Sequence, residues 1–195
     1  MLSDEEIQRD LEKLRDIVAK HKSPGTPLET HSEIINGQEF EVFSHAPHNL
    51  GELYDLALQD ADKTFLVYLE DRHTFQKVHD MARSLARVLI ERYEMKPGDR
   101  IAIIARNSPE WCVAYMAITL FGGVVVPMNS WWKGAELEYG LQDSGSKLIF
   151  VDQARFQHIT PYLDRHEIEI VLIRPESETG FPEFYSLFDG VDPLS

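Results

Sequence analysis

Apolar positions near the start of the chain recur at helical spacing. Ile7, Leu11, Leu14 and Val18 fall on one face, and Ser3 followed three residues later by Glu6 has the form of a capping box. This predicts an amphipathic helix that ends before Ser23-Pro24-Gly25, most simply a leader lying against the main body. Next, Asn36-Gly37 stands between the short β-prone runs Ile34-Ile35 and Gln38-Glu39-Phe40, which predicts a hairpin with a two-residue turn.

From Asn49 the pattern changes to helical and extended segments in alternation. Leu50, Leu53, Leu56 and Ala57 share a helix face, and Thr64 to Leu69 reads as a strand. A turn at Glu70-Asp71 leads to a short strand at His73-Thr74-Phe75, then to a helix with Val78, Met81, Ala82, Leu85, Val88 and Leu89 inward. The continuous apolar run Ile101 to Ala105 is what a strand buried on both faces of a parallel sheet requires. Asn107-Ser108-Pro109-Glu110 opens a helix running to Gly122-Gly123, and Val124 to Pro127 is the next strand. A helix (Ala135 to Asp143), a strand (Lys147 to Val151), a helix (Arg155 to Leu163) and a strand (Glu169 to Ile173) follow. The expected fold is therefore α/β: an open, mainly parallel sheet with helices on both faces, preceded by an N-terminal helix and hairpin. The expected division is a leader over residues 1–48 and an α/β unit over 49–195.

Charge narrows the partners. Nineteen Lys and Arg against 33 Asp and Glu give a formal −14, which disfavours phosphate backbones and anionic lipid surfaces, so no nucleic acid is expected as a partner. A small phosphorylated ligand remains open to a local pocket of backbone N–H groups. The single cysteine, Cys112, has no disulfide partner and fits a reducing compartment. No run approaches a membrane span and the acidic start does not resemble a signal peptide, so the expected location is the cytoplasm.

Self-contained catalytic patterns are missing. Asp143-Ser144-Gly145-Ser146-Lys147 precedes a strand, whereas phosphate loops leave one, so it reads as a turn; Gly122-Gly123 likewise suits a sharp helix-to-strand turn by tolerating positive φ. The eight histidines show no metal-ligand spacing and are expected on the surface, with Glu52, Asp55, Asp60 and Asp62 on a solvated helix face. No catalytic residue and no metal ligand can be named. Trp131-Trp132 is different, since two large aromatics directly after a strand end adjoin the place where open α/β sheets hold ligands. Asn129, Ser130, Trp131 and Trp132 are accordingly the candidate site, with anchoring between subdomains as the alternative role.

Three blocks in order carry a family resemblance. The first is Thr74-Phe75-Gln76-Lys77-Val78 with the helix after it, in which Lys77 and Val78 depart from the family's usual acidic and Leu positions. The second is Lys96-Pro97-Gly98-Asp99-Arg100-Ile101-Ala102-Ile103 running into Asn107-Ser108-Pro109-Glu110-Trp111. The third is Gly122-Gly123-Val124-Val125-Val126-Pro127-Met128-Asn129 with Ala135-Glu136-Leu137 and the run from Asp143 to Val151. From about Asn49 to Ile173 the chain resembles the first subdomain of the adenylate-forming superfamily, and its Pro-Met-Asn wording is most similar to acyl-CoA synthetases of the fatty-acid type.

The resemblance implies a two-step ligase. ATP and a carboxylate give an acyl-adenylate and pyrophosphate, and the thiol of CoA then displaces AMP. It implies ATP, Mg²⁺ and CoA as cofactors of the full-length enzyme, carboxylic acids as substrates, and a second subdomain and a C-terminal domain as partners within the same protein. The family's phosphate loop, its later acidic segments and its C-terminal Lys have no counterpart in this sequence. The expectation is of an N-terminal portion, inactive alone, that holds scaffold and part of the acyl or CoA channel at Asn129 to Trp132. An adenylation domain serving a carrier protein, and a non-catalytic Rossmann-like interaction module, remain as alternatives.

Overall fold

The computed structural model describes residues 3–165 and 167–194. The chain divides into two compact units, Met1–His48 and Asn49–Ser195.

In the first unit, α1 (Asp4–His21) starts at Ser3, whose hydroxyl accepts from the Glu6 N–H while the Glu6 carboxylate accepts from the Ser3 N–H at 2.8 Å. Strands β1 (Thr30–Ile35) and β2 (Gln38–Phe43) pair antiparallel, with Ile35 opposite Gln38. Asn36 and Gly37 between them both have positive φ, 51° and 81°, as a turn matching the twist of the strands demands.

The second unit is built on a four-stranded parallel sheet. Ahead of it come α2 (Leu50–Leu56), a short 3₁₀ turn over Ala57–Asp60, and the antiparallel pair β3 (Thr64–Tyr68) and β4 (Asp71–Thr74). The turn of that pair falls on Leu69-Glu70, one residue earlier than expected, so Asp71 already belongs to β4. Phe75 is not in the strand: the Thr74 hydroxyl accepts from the Lys77 N–H at 3.2 Å, and this cap starts α3 (Phe75–Glu91) at Phe75. Then follow β5 (Arg100–Ile104), α4 (Pro109–Leu120), β6 (Val124–Pro127), α5 (Gly134–Ser144), β7 (Leu148–Asp152), α6 (Gln153–Ile159) and β8 (Glu169–Ile173). The expected helix from Arg155 to Leu163 is divided, and Thr160–Arg165 is 3₁₀. Pro161 explains this, since it has no N–H to continue the α ladder.

The strand order is β6-β5-β7-β8, all parallel. Side chains alternate across the apolar runs and make two cores. Ile101, Ile103, Leu148, Phe150, Val171 and Ile173 meet α3 and α4 on one face, while Ala102, Ile104, Ile149, Val151 and Leu172 meet α5 and α6 on the other. Helices fall on opposite faces because the chain leaves β5 in one direction to reach β6 and returns in the other to reach β7, and each crossover keeps the same hand. The outer edge of β8 is bridged by the segment around Glu183, where Leu172 N donates to Pro182 O and Phe184 N to Leu172 O, both at 2.8 Å. Among the described residues β6 has no neighbour on its outer side.

The glycine pair after α4 divides its roles. Gly122 has φ 79°, the conformation expected for the turn, but Gly123 does not share it. A Cβ at Gly123 would lie 2.6 Å from the Phe121 ring and 2.9 Å from Ile118, so space rather than φ requires glycine there. Gly145, φ 59°, closes α5, and the segment around it is a helix cap as expected.

Candidate functional site

The order β6-β5-β7-β8 reverses direction between β5 and β7, and the carboxyl ends of the strands at such a reversal are where open α/β sheets hold ligands. Three loops meet at it. Asp152, the last residue of β7, binds two of them: its Oδ1 accepts from the Arg155 N–H at 3.0 Å to start α6, and its Oδ2 accepts from the Arg106 N–H at 3.0 Å in the loop after β5. Arg155 carries the link onward. It is 8% exposed, its Nη1 lies 3.2 Å from Asp152 Oδ2, and its Nε donates to the Ser130 carbonyl at 2.8 Å.

The loop after β6 is thereby fixed with its aromatics at the rim. Asn129 Oδ1 accepts from the Trp131 N–H at 2.9 Å, and the Asn129 carbonyl accepts from the Trp132 N–H at 3.0 Å, a tight turn closed on itself. The two tryptophans part company. Trp131 is 75% exposed and lies under the Arg106 guanidinium, 5.4 Å from its ring centroid. Trp132 is half-buried, packs against the α5 and α6 core, and closes over Gly140, where an added Cβ would stand 3.2 Å from its ring. Ser130 contributes its carbonyl to Arg155, and Asn129 holds the turn, with its side chain facing back to the loop. What the sequence did not single out is Arg106, Asp152 and Arg155. One signal for Asp152 was available: an acidic residue between a strand and a helix is a natural cap.

A second cluster sits farther along the same edge. Arg174, directly after β8, donates from Nε to Glu110 Oε1 at 2.7 Å and from Nη2 to Asp71 Oδ2 at 3.2 Å, and covers the Tyr68 ring at 4.7 Å. Glu110 is fully buried. Burial pushes its carboxyl up, but the Arg174 hydrogen bond and its place in the first turn of α4 more than offset this and hold it below the usual glutamate value. Burial pushes the neighbouring Tyr185 phenol up, and the Glu110 charge adds to the effect. The phenol stays protonated, and the cluster works as a static clamp.

The outer side of α3 and α4 carries an apolar groove of about 400 Å³, lined by Tyr54, Phe65, Phe75, Trp111, Tyr115 and Met116 among others. At its border Asp55 is not a merely solvated carboxylate. His79 Nε2 lies 2.8 Å from Asp55 Oδ1 and Arg83 Nη2 donates to the same oxygen at 2.7 Å, and the two hold the carboxyl below its usual value. Two histidines depart from the surface placement expected of them: His73 and His79 are 8% and 7% exposed, drawn in by β4 and α3, whose inward faces they share. Cys112 also lines this groove, and burial pushes its thiol up. Among the described residues no group of three His, Cys, Asp or Glu side chains can hold a metal, and no helix is long and apolar enough to cross a membrane.

A family model described as AMP-binding enzyme matches residues 54–185. The chain is 30% identical over 112 residues to 4-hydroxybutyrate–CoA ligase 2 of Metallosphaera sedula, covering 57% of this chain and 20% of that protein. It is 32% identical over 111 residues to a long-chain-fatty-acid–CoA ligase of Salmonella typhimurium, covering 57% and 18%. A benzoate CoA ligase from Burkholderia xenovorans superposes with a TM-score of 0.69 at 23% identity, over 76% of this chain and 30% of that one, and shares its fold. The chain spans about a fifth of the length of the curated relatives it matches.

Proposed function

The chain belongs to the AMP-binding enzyme family, and we propose that it is the N-terminal part of an ATP-dependent, AMP-forming acyl-CoA ligase acting on carboxylic acids of the fatty-acid type. In this proposal a carboxylate attacks ATP to give acyl-adenylate and pyrophosphate, and the CoA thiol then displaces AMP. The relatives named above, CoA ligases by name, support the reaction class. The observation that carries the assignment of a site is the Arg106–Trp131 stack at the reversal of the sheet. A guanidinium over an exposed aromatic face suits an anionic, ring-bearing carrier such as CoA, and the apolar side of the ring suits an acyl or pantetheine chain.

Asn129, Ser130, Trp131 and Trp132 then line the acyl or CoA channel, with Asp152 and Arg155 holding their loop in place. The steps that need Mg²⁺ and the triphosphate are not placed on these residues, because the family's phosphate loop and C-terminal Lys have no counterpart among them. We assign those steps to a second subdomain and a C-terminal domain of the same protein. The apolar groove over Tyr54, Trp111, Tyr115 and Met116 supports such a covering partner, since water contact with so continuous an apolar surface is unfavourable.

Pyrophosphate exchange measured with a panel of carboxylates tests the division of labour. The 195-residue chain is expected to show none above a buffer blank, and activity that survives repurification would overturn it. In the full-length protein, Trp131→Ala is expected to raise the KM for CoA or carboxylate; unchanged constants would remove the channel role.

A further inference from the structure

Asn36 and Gly37 shape the turn between β1 and β2, and the same pair has the makings of a covalent reaction. When glycine follows asparagine, its backbone nitrogen meets no Cβ on the way to the asparagine Cγ, and the two close a five-membered ring. Around Gly37 there is open space, since an added Cβ would find nothing within 4 Å. Neither the Gly37 N–H nor the Asn36 amide has a hydrogen-bond partner among the described residues, because the last ladder pair of the hairpin is Ile35 with Gln38. The other three asparagines lack this combination. Asn49 is followed by Leu50, Asn107 by Ser108 and Asn129 by Ser130. Asn49 and Asn129 are also tied down, their Oδ1 atoms accepting from the Glu52 and Trp131 N–H groups at 2.9 Å each.

The native turn restrains the reaction without abolishing it. With both central residues at positive φ, the Asn36 Cβ and the Gly37 nitrogen lie on opposite sides of the Cα–C bond, so ring closure needs the turn to open. Opening at a loop tip is cheap, and a two-stranded hairpin is marginal on its own. The cross-strand side-chain bonds, Ser32 to Glu39 and Thr30 to Glu41 at 2.7 Å each, leave the Ile35–Gln38 pair beside the turn unbraced.

We infer that Asn36 is a site of spontaneous deamidation that acts as a one-way switch of the β1–β2 hairpin. The Gly37 nitrogen gives up its proton and attacks Asn36 Cγ; the new N–C bond forms, the Cγ–Nδ2 bond breaks, and the NH₂ group leaves with a proton as ammonia. Water then opens the cyclic imide at either carbonyl, giving aspartate or isoaspartate, with no change of oxidation state. Aspartate preserves the turn, since Asp-Gly suits it as Asn-Gly does. Isoaspartate routes the main chain through Cβ, adds an atom between the strands, and breaks the pairing of Ile35 with Gln38. Either product adds a carboxylate to a hairpin that already carries Glu33, Glu39 and Glu41. The inference is independent of the proposed activity.

Incubation of the whole chain at mildly alkaline pH, with peptide mapping by mass spectrometry over time, tests it, and electron-transfer fragmentation separates isoaspartate from aspartate. The expected result is exchange of NH₂ for OH at position 36 before positions 49, 107 and 129, and loss of the β1–β2 cross-strand NMR contacts in proportion to the isoaspartate formed. Asn36→Gly keeps a two-residue turn as Gly-Gly and has no amide to lose, so its cross-strand contacts should survive the same incubation. No conversion at Asn36, or earlier conversion at any of the other three asparagines, overturns the inference. So does isoaspartate at position 36 that leaves the cross-strand contacts intact, or an equal loss of those contacts in Asn36→Gly.

Discussion

Arg174 Nε donates to Glu110 Oε1 at 2.7 Å, joining the residue after β8 to the first turn of α4, 64 positions earlier in the chain. Arg174 takes a positive φ of 49° to do so, an unusual conformation for a residue with a side chain, and from there it also reaches Asp71 and the Tyr68 ring. One side chain thus fastens the β3–β4 hairpin, the helix and the sheet edge together. Its strongest partner is a carboxylate with no access to water.

Removing the cation leaves that carboxylate buried and uncompensated. Arg174→Ala is expected to cost about 3 kcal/mol, toward the lower end for a buried pair because the Arg174 side chain is itself 40% exposed and water can enter its place. Urea titration at neutral pH reads the loss. The pH dependence has a definite sign: a carboxyl held below its ordinary 4.5 gives its full stabilisation above that value and loses it as pH falls through the lowered folded value. Glu110→Gln should therefore flatten the acid limb of the stability curve below pH 4.5, and an unchanged limb would show the pair to be energetically silent.

The two tryptophans should separate in a thermal melt. Trp131, 75% exposed, is expected to change stability by no more than about 0.5 kcal/mol when replaced by Ala. Trp132→Ala should cost about 2 kcal/mol, less than a fully buried Trp but enough to see, since it packs on the α5 and α6 core. Equal losses at both positions would contradict the arrangement of the loop.

Arg155→Met keeps the bulk of the side chain and removes its hydrogen bonds to Ser130 and Asp152. A loss of about 2 kcal/mol is expected, together with faster hydrogen exchange at the Trp131 and Trp132 amides as the loop loses its tether. Exchange rates equal to those of the wild type would mean that the turn made by Asn129 holds the loop unaided.

We propose that the Asn49–Ser195 unit folds without the residues before it. Protease cleavage near Ser23-Pro24-Gly25 should leave a product whose thermal transition is as sharp as that of the intact chain. A broadened or vanished transition after cleavage would show that the leader belongs to the core.

Local chemistry was legible in the sequence, and distant pairing was not. The Asn36-Gly37 turn, the Ser3 cap, the helix start at Asn107-Ser108-Pro109 and the order of strands and helices from β5 to β8 each depend on neighbours within a few residues, and each is found as its residues predict save for the divided helix before β8. Glu169–Ile173 agrees to the residue. The contacts that make the candidate site are of another kind. Arg155 with Ser130, Arg106 with Trp131 and Arg174 with Glu110 link residues 25 to 64 positions apart, and only the order of the strands brings them together. The same reason hid His79 and Asp55, which each look like ordinary surface residues until α2 and α3 meet.

The two margins of the sheet are unlike, and this makes misassembly directional. With β8 bridged by the Pro182–Phe184 segment, a strand adding to the four-stranded sheet meets, among the described residues, the open side of β6. That strand offers just four residues, and its last, Pro127, has no amide hydrogen to give. On this sheet the open side of β6 is a poor template by both length and geometry, since the Val124 N–H is already given to Asp99 O at 2.8 Å and Pro127 has none to give.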